Sequence, residues 1–134
     1  MFSYIGDRIN GKPEVKKVII NGPVAYLNPR LDLRKHSPDH FDWGYAGPGP
    51  AQLALAILAD CLGDVTGQAF YHWFKHEVIA LLPTKNFVLD VEDIRHWFFK
   101  HVRNSTEAIE RLLLIIQELS EKLLEVANEG VQEQ

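Results

Sequence analysis

Twelve residues constrain this chain more than any others. From Ala51 to Leu62 only Gln52 and Asp60 are polar. A helix that is apolar nearly all round belongs in the middle of a fold, because a surface helix keeps a polar face. Ala51, Ala54, Ala56 and Ala59 let neighbours approach it closely. Pro50 suits its first turn, and Gly63-Asp64 ends it. The rest of the chain must therefore cover this helix on every side. At 134 residues with 46% hydrophobic and 24% charged side chains, it has the means. Such a chain buries roughly two-thirds of its unfolded surface in one domain. The same composition excludes a disordered, collagen-like or low-complexity chain.

The cover reads as strands before the central helix and helices after it. Val15–Ile20 is rich in β-branched residues and meets Asn21-Gly22, a type I′ hairpin signal. Val24–Leu27 is the expected return strand, with Pro23 at its start. Tyr4-Ile5 is a candidate third strand, set off by the turn-like Asn10-Gly11-Lys12-Pro13. After the central helix, Gly67–Leu82 reads as a second helix, with Thr66 as N-cap and Pro83 as stop. Phe70, Phe74, Val78 and Leu81 fall on one face of it. Asp90 is the expected cap of a third helix, Val91–Val102, whose apolar side is Ile94, Trp97 and Phe98. A long helix from Ser105 or Thr106 to Asn128 follows, ended by Gly130. Ile109, Ile116 and Leu123 occupy heptad position a, and Leu112, Leu119 and Val126 position d. The expected organisation is one α+β domain over 1–103, a docking or dimerisation helix over 104–129, and a disordered tail over 130–134.

Charge is unevenly distributed. The net charge is −4. Residues 8–35 hold Arg8, Lys12, Lys16, Lys17, Arg30, Arg34 and Lys35 against Glu14 and Asp32, whereas 104–134 carry a net −5. A basic hairpin of this kind suits phosphate contacts, so nucleic acid is a possible partner through 8–35. The acidic heptad helix suits a second copy of the chain. One cysteine, Cys61, excludes an intramolecular disulfide and reads as a buried hydrophobe. No run approaches the ~18 apolar residues of a membrane span. The first residues show neither a basic nor an apolar leader pattern, which predicts a cytoplasmic protein.

Residues 28–50 form a long irregular segment, a length often associated with function. Phe41, Trp43 and Tyr45 are expected to pack it onto the fold. Its end, Asp42–Gln52, is glycine-rich and runs into a helix N-terminus, which can bind an anion. Pro48 and Pro50 remove two donors there, and no phosphate-loop motif is present. His72 and His76, spaced i, i+4, are a candidate metal pair that His36 or Asp42 would complete. Glu77 is expected to lie partly buried, as an ion-pair partner or a general base. No serine sits in a nucleophile elbow, and no cation neighbours Cys61 in sequence to activate it.

Phe41-Asp42-Trp43-Gly44-Tyr45-Ala46-Gly47, followed by Gly49-Pro50-Ala51-Gln52-Leu53-Ala54-Leu55-Ala56, resembles the F-E-W-G-Y-x-G-x-G-P-A-Q-L-A-L-A core of a small family, domain of unknown function 6166. Tyr4-x-Gly, His36-Ser37 and Phe74-Lys75-x-Glu77-Val78-Ile79-Ala80-x-Leu82-Pro83 extend the resemblance over about residues 4–102. It implies a small intracellular prokaryotic protein, often associated with mobile elements, and brings no established reaction. It raises Trp43, Tyr45, Gly47, Gly49, Gln52, Lys75 and Glu77 as candidate ligand or structural positions. Pro48 stands where the family usually has serine.

These readings predict an α+β fold: an antiparallel hairpin or sheet packed on a helical bundle, with a long C-terminal heptad helix. They predict a non-enzymatic interaction or accessory protein, self-associating through that helix and without a cofactor. The alternatives are a nucleic-acid-binding regulator and a ligand binder or enzyme centred on Trp43–Gln52 and Glu77.

Overall fold

The computed structural model describes residues 1–132 and is α+β. Its strands are β1 (Phe2–Ile9), β2 (Lys12–Ile19), β3 (Val24–Tyr26) and β4 (Phe87–Asp90). Its helices are α1 (Pro48–Leu62), α2 (Asp64–Glu77), α3 (Val91–Asn104) and α4 (Thr106–Gln132). The chain divides into two compact units, Met1–His96 and residues from Trp97 onward.

In the first unit the strands form one antiparallel sheet in the order β3-β2-β1-β4. The tight turn joins β1 to β2. Asn10 and Gly11 both have positive φ, 52° and 79°, as a two-residue I′ turn requires. This corrects the expectation for Asn21-Gly22. Asn21 has φ 57°, but Gly22 does not take positive φ, and Ile20–Pro23 makes a wider connection. Pro23 follows at once and restricts the residue before it. The candidate third strand is consequently a full strand, Phe2–Ile9.

The alternation of the pleat sorts the strands' side chains. Tyr4, Gly6, Val15, Phe87 and Leu89 fall on the inner face and are buried. Gly6 is required there, because a Cβ would lie 2.1 Å from the Phe87 ring. Ile5, Lys16, Val18, Tyr26 and Val88 fall on the outer face.

α1 is the central helix that its composition demands, buried from Gly49 to Ala59. It starts at Pro48 rather than Pro50, with Gly47 as an extended N-cap. Both prolines fit the first turn, whose N–H groups have no helical partner. α2 starts at Asp64, not Gly67, because Gly63 at φ 93° turns the chain directly from one helix into the next. Close packing of the pair depends on Gly67, where a Cβ would meet the Ala59 backbone nitrogen at 2.6 Å. α2 ends at Glu77 and a 3-10 turn, Ile79–Leu81, replaces its expected last turn. Phe70 and Phe74 are buried as expected, but Leu81 is 76% exposed.

β4 has no counterpart in the expectations. Its last residue, Asp90, does not cap α3 with its side chain; the carboxylate accepts from the Ser3 hydroxyl across the sheet. Asp93 reaches back to accept from the Asp90 N–H, as in a capping box. In the second unit, α4 continues through Gly130 to Gln132. The expected tail is therefore helical as far as 132, and 133–134 lie outside the described residues.

Candidate functional site

The segment 41–52 closes on itself. Phe41 and Trp43 are buried and Tyr45 is half exposed. The Trp43 ring meets Phe87 edge-on at 5.0 Å and carries the Arg8 guanidinium 4.4 Å over its centroid. Asp42 is the hub. Its Oδ1 accepts from Arg8 Nη2 at 2.8 Å and from the Trp43 N–H at 2.9 Å, and its Oδ2 accepts from the Tyr45 hydroxyl at 3.0 Å. Burial pushes the Asp42 carboxyl up, but Arg8, the Trp43 amide and Tyr45 together outweigh it and hold it below the usual aspartate value. Arg8 also donates to the Thr84 carbonyl. Gly44 takes φ 86°, and its N–H donates to the Ile79 carbonyl. Gly47 leaves room for the Tyr45 ring, which a Cβ would meet at 2.8 Å.

Gln52 is completely buried on α1. Its Oε1 accepts from the backbone N–H groups of His36 (2.8 Å) and Ser37 (3.2 Å). Its Nε2 donates to the carbonyls of Pro29 and Arg34. Four bonds saturate a primary amide in this setting. Gln52 therefore pins the earlier stretch 29–37, not Trp43–Gly49. A buried polar residue amid apolar ones signalled a demanding partner, but nothing in the sequence said which backbone groups it would meet.

The other candidates are dispersed. Glu77 is exposed, because α2 ends there. Lys75 is half-buried one turn beyond Tyr71 on α2. His72 and His76 are exposed on α2. The His72 ring lies 4.1 Å from that of Trp73, and His36 turns its Nε2 to the Tyr71 hydroxyl at 2.8 Å. Among the described residues no group of three or more His, Cys, Asp or Glu could hold a metal ion. Cys61 is half-buried, and burial raises its thiol pKa.

Three of the seven basic residues of segment 8–35 are held in ion pairs. Lys17 lies on the inner face, 2.8 Å from Asp60, and Lys16 on the outer face over Tyr26. Arg8 binds Asp42, while Arg30 bridges Asp32 and Asp64. A cleft of about 220 Å³ opens between β2 and the loop, lined by Lys12, Pro13, Tyr26, Pro38 and Phe41 among others. No helix among the described residues is long and apolar enough to cross a membrane.

The fold and its clasp thus define a small α+β domain organised by one contiguous motif. The chain belongs to the family of unknown function DUF6166, whose model matches residues 4–100. No curated protein and no solved structure matches it.

Proposed function

We propose that the chain is a non-enzymatic interaction protein that self-associates through α4. The observation behind this is the state of the heptad. Ile109, Ile116, Leu119, Leu123 and Val126 are exposed, with Leu123 at 71%. An apolar stripe of this length in contact with water is an interaction surface. Its a/d spacing suits the same stripe of a second copy, packed knobs into holes. The motif supports an accessory role, since the polar groups of Asp42, Tyr45 and Gln52 are consumed by the domain's own structure.

Sedimentation equilibrium of the full chain and of Ile116→Glu/Leu123→Glu tests the reading. The expected result is an oligomeric wild type and a monomeric variant of unchanged helicity. A monomeric wild type at every concentration overturns it.

A further inference from the structure

The exposed side of α2 and the loop stretch beside it form a cationic face. Gln52 fixes the backbone at Arg34, His36 and Ser37. From this anchored stretch the His36 ring reaches Tyr71 on α2. At about 100° per residue, Gln68, Tyr71, His72, Lys75 and His76 share one side of the helix. None of these five is acidic; Asp64, one turn earlier on the same side, is held by Arg30. Glu77 is rotated by roughly 200° from Lys75. Burial lowers the His36 pKa, and the charges of Arg34 and Lys75 lower it further, so both cations act on this ring.

Of the nearby acids, Asp32 and Asp64 are held by Arg30, and Asp39 lines the cleft beside β2 with Lys12 and Tyr26. Among the described residues, Arg34, Lys35 and Lys75 have no ion-pair partner. Clustered cations without counter-ions repel one another and attract an external anion.

We propose that Arg34, Lys35 and His36, with the Tyr71–Lys75 side of α2, bind the phosphodiester backbone of nucleic acid. Arg34 offers a planar fork that matches phosphate oxygens. The Tyr71 hydroxyl and the histidine rings add further hydrogen-bonding groups. His72, exposed on the same side, adds an aromatic ring against which a base can stack and which an acidic polypeptide would leave unused. This site takes Arg34 and Lys35 from the end of the basic segment anticipated above, not its hairpin, whose Lys17 and Arg8 are occupied.

The test is fluorescence anisotropy of the full chain with labelled single-stranded DNA, RNA and duplex DNA of about 16 nucleotides. Binding is expected at low salt, with a log–log salt slope of about −2 to −3 for three neutralised phosphates. Arg34→Glu/Lys75→Glu should weaken it at least about tenfold. The milder Lys35→Ala/Lys75→Ala should weaken it by less and lower the slope, with an unchanged melting temperature. Lys12→Glu/Lys16→Glu should leave affinity as it is. No binding at low salt, equal binding by the Lys35/Lys75 variant, or equal competition by polyglutamate each overturns the proposal.

Discussion

Gly49 lies directly against Asp42. A Cβ at Gly49 would stand 2.7 Å from the Asp42 Cβ and 3.2 Å from its amide nitrogen. The first turn of α1 and the clasp hub therefore touch backbone to backbone, and the neighbour is not a flexible side-chain end. Gly49→Ala must push the two apart. Overpacking of this kind costs about 1–3 kcal/mol. Thermal unfolding should show a melting temperature lower by roughly 3–8 °C per kcal/mol in a domain of this size. An unchanged melting temperature would show that the clasp tolerates separation from α1.

Gln52→Glu keeps the shape of the side chain and removes two donors. The new oxygen would face the Pro29 and Arg34 carbonyls that Nε2 now serves. The expected loss near neutral pH is about 3 kcal/mol, from two buried acceptors left unmatched and a buried charge. Acid should reverse part of it. A buried glutamic acid has a raised pKa, so its neutral form is favoured and restores one donor as pH falls. Denaturant unfolding at mildly acidic and at alkaline pH checks this. Wild type lacks that term, and equal losses for the variant at both pH values would contradict the geometry.

The Asp42 hub predicts an acid-dependent component of stability in the wild type. Its folded pKa is depressed despite burial, by Arg8, the Trp43 amide and Tyr45. A depressed carboxylate contributes stability that is present above the ordinary aspartate pKa. That contribution is lost as pH falls through the lower folded value. Asp42→Asn should cost about 1–3 kcal/mol at neutral pH and flatten the acid limb of the stability curve below about pH 4. Parallel acid limbs for variant and wild type would assign the depressed pKa no role in stability.

The central helix was legible because its meaning is independent of tertiary detail: an unbroken apolar surface has only one place to go. The long C-terminal helix and the motif's family were legible as well. Legibility ended where two signals of equal local strength competed. Asn10-Gly11 and Asn21-Gly22 are the same dipeptide, and only the strand pairing on either side decides which makes the tight turn. β4 is four residues long, too short for periodicity to register, and exists because β1 offers it an edge. Glu77 was misplaced because the apolar stripe it was set against ran on to Val78 and Leu81, beyond the end of α2. Lys16 and Lys17 read as one basic patch, yet the pleat sends them to opposite faces. Gln52 announced itself as a buried amide, while its partners in 29–37 are a tertiary outcome.

That separation of Lys16 from Lys17 leads to a double-mutant prediction. The Tyr4 phenol is wholly buried and donates to Asp60 at 2.6 Å, and Lys17 sits 2.8 Å from the same carboxylate. Burial, with the Asp60 carboxylate beside it, drives the Tyr4 pKa far above the usual range, so the phenol stays a donor. Tyr4→Phe should cost about 1.5–3 kcal/mol, the value of a hydrogen bond to a charged acceptor. Asp60→Ala should cost more, because it strands a buried hydroxyl and removes the Lys17 partner. The double variant should be milder than the sum of the two by about 1 kcal/mol or more, since the second change removes a group already unpaired. Lys16→Ala, on the other face, should stay within about 0.5 kcal/mol of wild type. Denaturant unfolding of wild type and the four variants decides the matter. Strict additivity of Tyr4→Phe and Asp60→Ala would mean that the phenol and the carboxylate do not act as a pair.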